Sequence, residues 1–277
     1  MKHSLNNLNL LCGILLTTML SINAIEAQKN NPELSLDGKK IICVSGGWAG
    51  HKPTESAAFF VPKLRAEGAV VDVYNTLDVY TDKNLMNKAD LIIQMWTFGE
   101  ITKEQFNGLR NAVHNGTGFS GWHGGIGDSF RGNIEYQFMV GGQFLFHPGG
   151  KIDHKIKIYD KKDPITKGIK DFELKKTEQY YMLVDPNVKV LAISEFTRAT
   201  YQKKAANAIH NQITGSTMPV VWKKNYGKGR VFYSSIGHYL TDFEVPEVLE
   251  MQLRGFRWAA QGKYMKHENT ISPVYKK

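Results

Sequence analysis

The histidines of this chain sit where side chains are placed for chemistry. His123 lies inside FSGWHGGIGDSF (119–130), where Gly121, Gly124, Gly125 and Gly127 crowd the backbone as it leaves a short apolar stretch. Glycine accepts φ > 0 and lets other atoms approach closely, so it suits a sharp strand exit. The spacing Gly121-x-His123-x-Gly125 copies the Gly-x-Ser/Cys-x-Gly of a nucleophile elbow, with an imidazole in the nucleophile's seat. Two more histidines follow apolar runs in the same way: His51 after Gly46-Gly47-Trp48-Ala49-Gly50, and His238 after Ser234-Ser235-Ile236-Gly237. His147 stands in another glycine-rich turn, Phe146-His147-Pro148-Gly149-Gly150. Neutral imidazole binds divalent metals and also moves protons near pH 7. His51, His123, His238 and His147 are therefore candidate ligands of a divalent cation such as zinc or manganese, and His123 is a candidate acid/base. The plainer alternatives are turn-capping or core-packed histidines. His114, His154, His210 and His267 have polar or helical neighbours and read as surface residues.

Imidazoles of this kind need acids beside them, and Asp128, Glu135, Glu178 and Asp242 are the candidates. Glu178 opens the polar–aromatic stretch Glu178-Gln179-Tyr180-Tyr181-Met182. We take His123, Glu178 and Asp128 as the candidate catalytic groups. Trp48 and Trp96 flank glycine-bearing strand exits and, with Tyr180 and Arg131, form a candidate wall for a polyhydroxyl ligand. Aromatic faces stack on C–H surfaces while charged groups bond to hydroxyls. Asp128 and Arg131 could instead pair with each other. The turn at 46–51 lacks the Lys-Ser/Thr of a P-loop and the Gly-x-Gly-x-x-Gly of a dinucleotide site, so no nucleotide is expected. Ser120 and Ser129 bracket the elbow without occupying its centre, Cys43 lies inside an apolar run, and no His-Glu-x-x-His occurs. A metal would have to be held by ligands distant in sequence.

The elements that must position these residues alternate. Strands are expected at Lys40–Ser45, Ala69–Tyr74, Asp90–Met95 and Gly116–Trp122. Helices are expected at Thr54–Glu67, with Thr54 as N-cap and Gly68 as stop, near Lys83–Lys88, and at Thr102–His114, opened by the capping box Thr102-Lys103-Glu104-Gln105. Such alternation argues for a parallel, doubly wound sheet, in which ligands sit beyond the carboxyl ends of the strands. Asn133–Val140 reads as a short helix, Asp153–Tyr159 and Val188–Ile193 as strands, Val220–Trp222 and Gly229–Ser234 as a hairpin, and Pro246–Gln261 as a closing helix. The expected fold class is α/β: a flavodoxin-like, mainly parallel sheet with an antiparallel extension.

Residues 1–27 read as a signal peptide: Lys2, a mostly apolar run from Leu8 to Leu20, and small residues leading to cleavage near Ala27. The expectation is a secreted or periplasmic protein with no transmembrane span after cleavage, a flexible arm at 28–38, one domain at 39–262 and a tail at 263–277. About 250 residues would remain, enough for a single large core. Cys43 would then be the one cysteine left, so the fold must hold without an internal disulfide. The net charge of +9 is unchanged by cleavage, because Lys2 and Glu26 leave together. The lysines are scattered in pairs rather than striped with aromatics, so no nucleic-acid partner is expected.

The stretches SGGWAGHKPTESAAFF, MWTFGEIT, GTGFSGWHGGIGDSFRGNIEYQFMVGGQFLFHPGG, DPITKGI, EQYYMLVDP and MPVVWKKNYGKGRVFYSSIGH together resemble the trehalose-utilisation (ThuA-like) family, from about Lys39 to Gly262. The resemblance implies the class I glutamine amidotransferase-like superfamily and a setting in sugar catabolism, with disaccharides and 3-keto-sugars as ligands. In amidotransferases the elbow holds a nucleophilic cysteine; with His123 there, a thiol-acyl mechanism is unavailable and glutaminase activity is not expected. The expected activity is a metal-assisted reaction on a disaccharide or 3-keto-glycoside, and the alternative is a non-catalytic carbohydrate-binding or pathway-partner protein.

Overall fold

The computed structural model describes residues 34–198 and 212–266. The expected leader and its cleavage point, most of the arm, nearly all of the tail, His210 and His267 lie outside the described residues. Apolar runs form the first strands: β1 (Lys40–Gly47), β2 (Val70–Tyr74) and β3 (Leu91–Thr97). β4 (Gly118–Trp122) and β11 (Gly229–Ser234) are buried along their whole length. Together they make the parallel half of a nine-stranded sheet ordered β2-β1-β3-β4-β11-β10-β9-β6-β7. β10 (Thr217–Tyr226), β9 (Lys189–Glu195), β6 (Lys151–Ile158) and β7 (Phe172–Glu178) continue it antiparallel. A separate antiparallel pair joins β5 (Gly142–Phe146) to β8 (Tyr181–Val184).

Helices cover both faces. α1 (Pro53–Ala66) and α6 (Pro246–Ala259) bury Phe60, Leu64, Met251 and Phe256 on one side. α3 (Lys103–His114) and α5 (Ile134–Val140) bury Phe106, Leu109, Tyr136 and Met139 on the other. The short α2 (Lys83–Lys88) and α4 (Gly124–Gly127) complete the set among the described residues. This is the α/β, doubly wound sheet with an antiparallel extension that the alternation of apolar runs predicts. Register sets the functional edge: Gly47 pairs with Thr97 and Ser234 with Trp122, so β1, β3, β4 and β11 release the chain at one end of the sheet.

Local signals held unevenly. The capping box is formed, Thr102 Oγ1 accepting from Gln105 N–H and Gln105 Oε1 from Thr102 N–H. Thr54 does not cap α1. The helix begins at Pro53, whose fixed φ is preorganised for a first helical position, behind Lys52 at φ 49°. His154 is buried rather than at the surface, and burial pushes its imidazole down to about 4. Strands β5, β7 and β8 go beyond the expected set; β7 reads Phe-Glu-Leu-Lys-Lys-Thr-Glu, too polar to announce itself.

The DPITKGI stretch serves the fold. Asp163, fully buried, receives Lys223 Nζ and Lys189 Nζ at 2.8 Å each. Burial alone would raise its carboxyl, but the two ammonium groups outweigh it and hold it below the usual range. Its stabilising contribution is therefore present above the unfolded value of about 3.9 and lost as pH falls through the folded one. Asp163→Asn leaves buried Lys223 short of its counter-charge. It is expected to cost about 3–5 kcal/mol in urea unfolding at pH 7 and to reduce the acid sensitivity of stability below about pH 4. An unchanged unfolding midpoint would contradict this.

Candidate metal centre at the strand ends

The four strand exits bring three of the glycine-flanked histidines together. His51 follows β1, His123 follows β4 and His238 follows β11; Glu178 arrives from the end of β7. One ligating atom from each lies within 4.8 Å of all the others. His123 Nε2 stands 3.2 Å from His238 Nδ1, and both are 3.3 Å from Glu178 Oε2. Neighbouring ligands about 2.0–2.1 Å from a tetrahedral zinc are about 3.3–3.4 Å apart, so these separations suit such an ion.

Several contacts hold each ring. His123 adopts φ 49°, ψ −138°, a strained conformation for a residue with a Cβ and the kind found at strand-to-helix elbows. Its N–H donates to Ser234 O at 2.6 Å, and its carbonyl accepts from Gly127 N–H and the Tyr233 hydroxyl. The ring stacks on Tyr180, centroids 4.0 Å apart, and meets His51 and His238 edge-on. Gly124 is required beside it: a Cβ there would lie 2.6 Å from His51 Cε1. Asp242 ties the remaining two supports, accepting from Thr177 Oγ1 next to Glu178 and from Tyr239 N–H next to His238.

The tautomer of His123 follows from its outer bond. His123 Nδ1 lies 2.8 Å from Ser235 O. A carbonyl only accepts, so Nδ1 carries the hydrogen and Nε2 is bare. His51 Nδ1 is paired with Thr97 Oγ1 at 2.8 Å. Burial, then the neighbouring imidazoles, pushes His51 down to about 3, and burial lowers His123 as well, so both are neutral at pH 7. Burial would raise Glu178, but the imidazoles of His123 and His238 beside it outweigh burial and hold its carboxyl well below the usual carboxylate range. A bare imidazole nitrogen thus faces an ionised carboxylate oxygen, two lone-pair donors with one His238 nitrogen between them. Neutral imidazoles and an ionised carboxylate are the protonation states that a divalent metal requires, and the bonds to Thr97 and Ser235 are the outer contacts that orient such ligands. The residues fit a divalent cation.

The other candidates surround this centre. His147, partly exposed, reaches Glu178 Oε1 at 3.6 Å and stands outside the four-group cluster. Asp128 is buried and clamped by Arg131 through two bonds, Nε–Oδ1 at 2.5 Å and Nη2–Oδ2 at 2.9 Å. Glu135 pairs with Arg110 at the surface, away from the histidines. Trp48 is exposed and lies edge-on to His51. Trp96 is half-buried against Gly46, and Tyr180 is buried beneath His123, forming the floor of the site. Residue types alone did not single out Thr97, Ser235 or Phe98. Ser235 acts through its carbonyl, which no side-chain motif records, and Thr97 and Phe98 are marked only by the exit of β3.

The sequence model of the trehalose-utilisation (ThuA) family matches residues 40–259. Among solved structures, a protein described as ThuA-like from Bacteroides uniformis superposes with a TM-score of 0.65 at 18% identity, over 81% of this chain and 92% of its own. Another from Parabacteroides merdae gives 0.63 at 17% identity, over 84% and 93%. A cytoplasmic protein from Salmonella typhimurium gives 0.52 at 13% identity, over 82% and 100%. At such identities the likeness is one of fold. No curated protein matches the chain.

Gly124→Ala is expected to push His51 out of the cluster and weaken zinc or manganese binding about 10–100-fold, the scale for disturbing outer contacts of a metal ligand. Equilibrium dialysis measures this; unchanged affinity would mean that His51 is not a ligand.

Proposed function

The chain belongs to the trehalose-utilisation (ThuA) family, and on that footing we propose that it is a metal-assisted enzyme acting on a disaccharide or 3-keto-glycoside. The observation that carries this reading is the meeting of His51, His123, His238 and Glu178, with His51 and His123 neutral and Glu178 ionised, at the end of the sheet where the parallel strands release the chain. A divalent cation held by the three imidazoles and Glu178 Oε2 would polarise the C3 carbonyl of a keto-sugar.

The chain's own groups supply the rest. A C3 carbonyl makes the C2 proton acidic. Glu178, whose Oε1 points away from the His123–His238 pair toward His147, accepts that proton. The C2–H electron pair becomes the C1–C2 double bond as the C1–O bond breaks. The departing oxygen keeps its bonding pair and takes up a proton, with partly exposed His147 placed to donate it. Tyr180 fixes the plane of His123 from below, Ser235 holds its tautomer, and Thr97 orients the His51 ring. Asp128, occupied by Arg131, orients that side chain and leaves Glu178 as the base.

Release of p-nitrophenol from p-nitrophenyl 3-keto-glucoside tests the reading. The metal-loaded protein is expected to turn it over and to lose activity with EDTA. Glu178→Gln should lower kcat by about 10²–10⁴, the usual contribution of a general base. Turnover indifferent to chelator and to Glu178→Gln would contradict the mechanism. Equilibrium sugar binding with no turnover would point to the carbohydrate-binding alternative.

A further inference from the structure

Beside the histidine centre opens a cleft of about 710 Å³ lined by Phe98, Glu100, Arg131, Asn133 and Ile134 among others. This lies within the range of small-molecule sites, about 300–1,000 Å³. Its wall is continuous with the rim of the centre. Trp48 lies 4.7 Å from His51 and 5.5 Å from Phe98, centroid to centroid. The Arg131 guanidinium sits over Phe98 at 5.1 Å and over Phe144 at 5.6 Å, and Phe144 packs on Tyr180 beneath His123. Trp48 thus links the rim of the centre to Phe98, and Phe144 links its floor to Arg131.

Phe98 is a costly residue to place there. It adopts φ 63°, which is strained for an aromatic side chain, and the residue is 39% exposed. The strain is held by the bond from its N–H to Asp128 O and by the bridge pairing it with Ser129. Neither core packing nor turn formation accounts for an exposed ring at such a position, whereas presenting a flat apolar face to a ligand does. The polar groups indicate what ligand. Arg131 spends Nε and Nη2 on Asp128, which balances its charge, and keeps Nη1 for the cleft. Glu100, exposed, adds an acceptor and a negative charge. The cleft is thus neutral to acidic, unsuited to a phosphate or carboxylate and suited to a neutral polyol, with C–H faces against Phe98 and hydroxyls bonded to Arg131 and Glu100.

Resting on the sugar reading of the centre, we propose that this cleft is the subsite for the second, non-reacting ring of a disaccharide, with Phe98 as its stacking platform. Trehalose is a suitable probe because it lacks the C3 carbonyl and so binds without the proposed elimination. Titration calorimetry of the metal-loaded protein with trehalose and with glucose tests the subsite. The expected result is trehalose binding at least tenfold more tightly than glucose, with the advantage lost in Phe98→Gly and kept in Phe98→Tyr. Glycine accepts the positive φ, so Phe98→Gly removes the ring without straining the backbone, and glucose affinity should stay unchanged in it. Equal binding of the two sugars, or trehalose affinity untouched by Phe98→Gly, would overturn the subsite and leave the sugar reading standing. No binding of either sugar would overturn both.

Discussion

The site depends on the hydrogen bond from His123 Nδ1 to the Ser235 carbonyl, with the shorter bond from His123 N–H to Ser234 O beside it. Both join the exits of two adjacent parallel strands, and both exist because β4 and β11 are in register up to Trp122 and Ser234. The backbone bond holds an elbow that would otherwise relax, since the His123 conformation costs of order 1–3 kcal/mol. The side-chain bond fixes the hydrogen on Nδ1 and turns the bare Nε2 toward Glu178 and His238. Without it the ring could present a hydrogen to the centre, and the set of donors would no longer suit a cation.

Packing converts that one bond into a rigid arrangement. Tyr180 lies under the His123 ring and His51 stands edge-on to it, in a space kept open by the missing Cβ of Gly124. Beneath α4 a buried polar network continues the support. Tyr80 donates to Gln94 Oε1, and Gln94 Nε2 lies within bonding distance of Gly125 O, Ser129 Oγ and Tyr136 Oη. A fully bonded glutamine inside a strand rigidifies the turn above it, whereas an unsatisfied one there would cost about 1–3 kcal/mol. The elbow scaffold is thus the one that elsewhere displays a nucleophile, used here to aim an imidazole.

Much of this is legible in the sequence, for identifiable reasons. Long apolar runs and glycine-rich exits announce β1, β3, β4 and β11, and strand ends in a parallel sheet share an edge; that predicts the convergence of His51, His123 and His238. Glu178 is legible only as a candidate. It arrives on β7, a polar strand at the far edge of the sheet, and only tertiary pairing brings it in. The pairing of Asp128 with Arg131 follows from their i, i+3 spacing. The Ser235 carbonyl and the strained φ of Phe98 leave no compositional trace. Thr54 misled because a proline one residue earlier started the helix without a side-chain cap.

The central claim is that His51, His123, His238 and Glu178 form one metal centre. Anomalous diffraction at the zinc edge, from crystals of the zinc-loaded protein, tests it most directly. The account predicts a single strong peak within bonding distance of His51, His123 Nε2, His238 Nδ1 and Glu178. A peak held by other residues, or none at these four in fully loaded crystals, would contradict it.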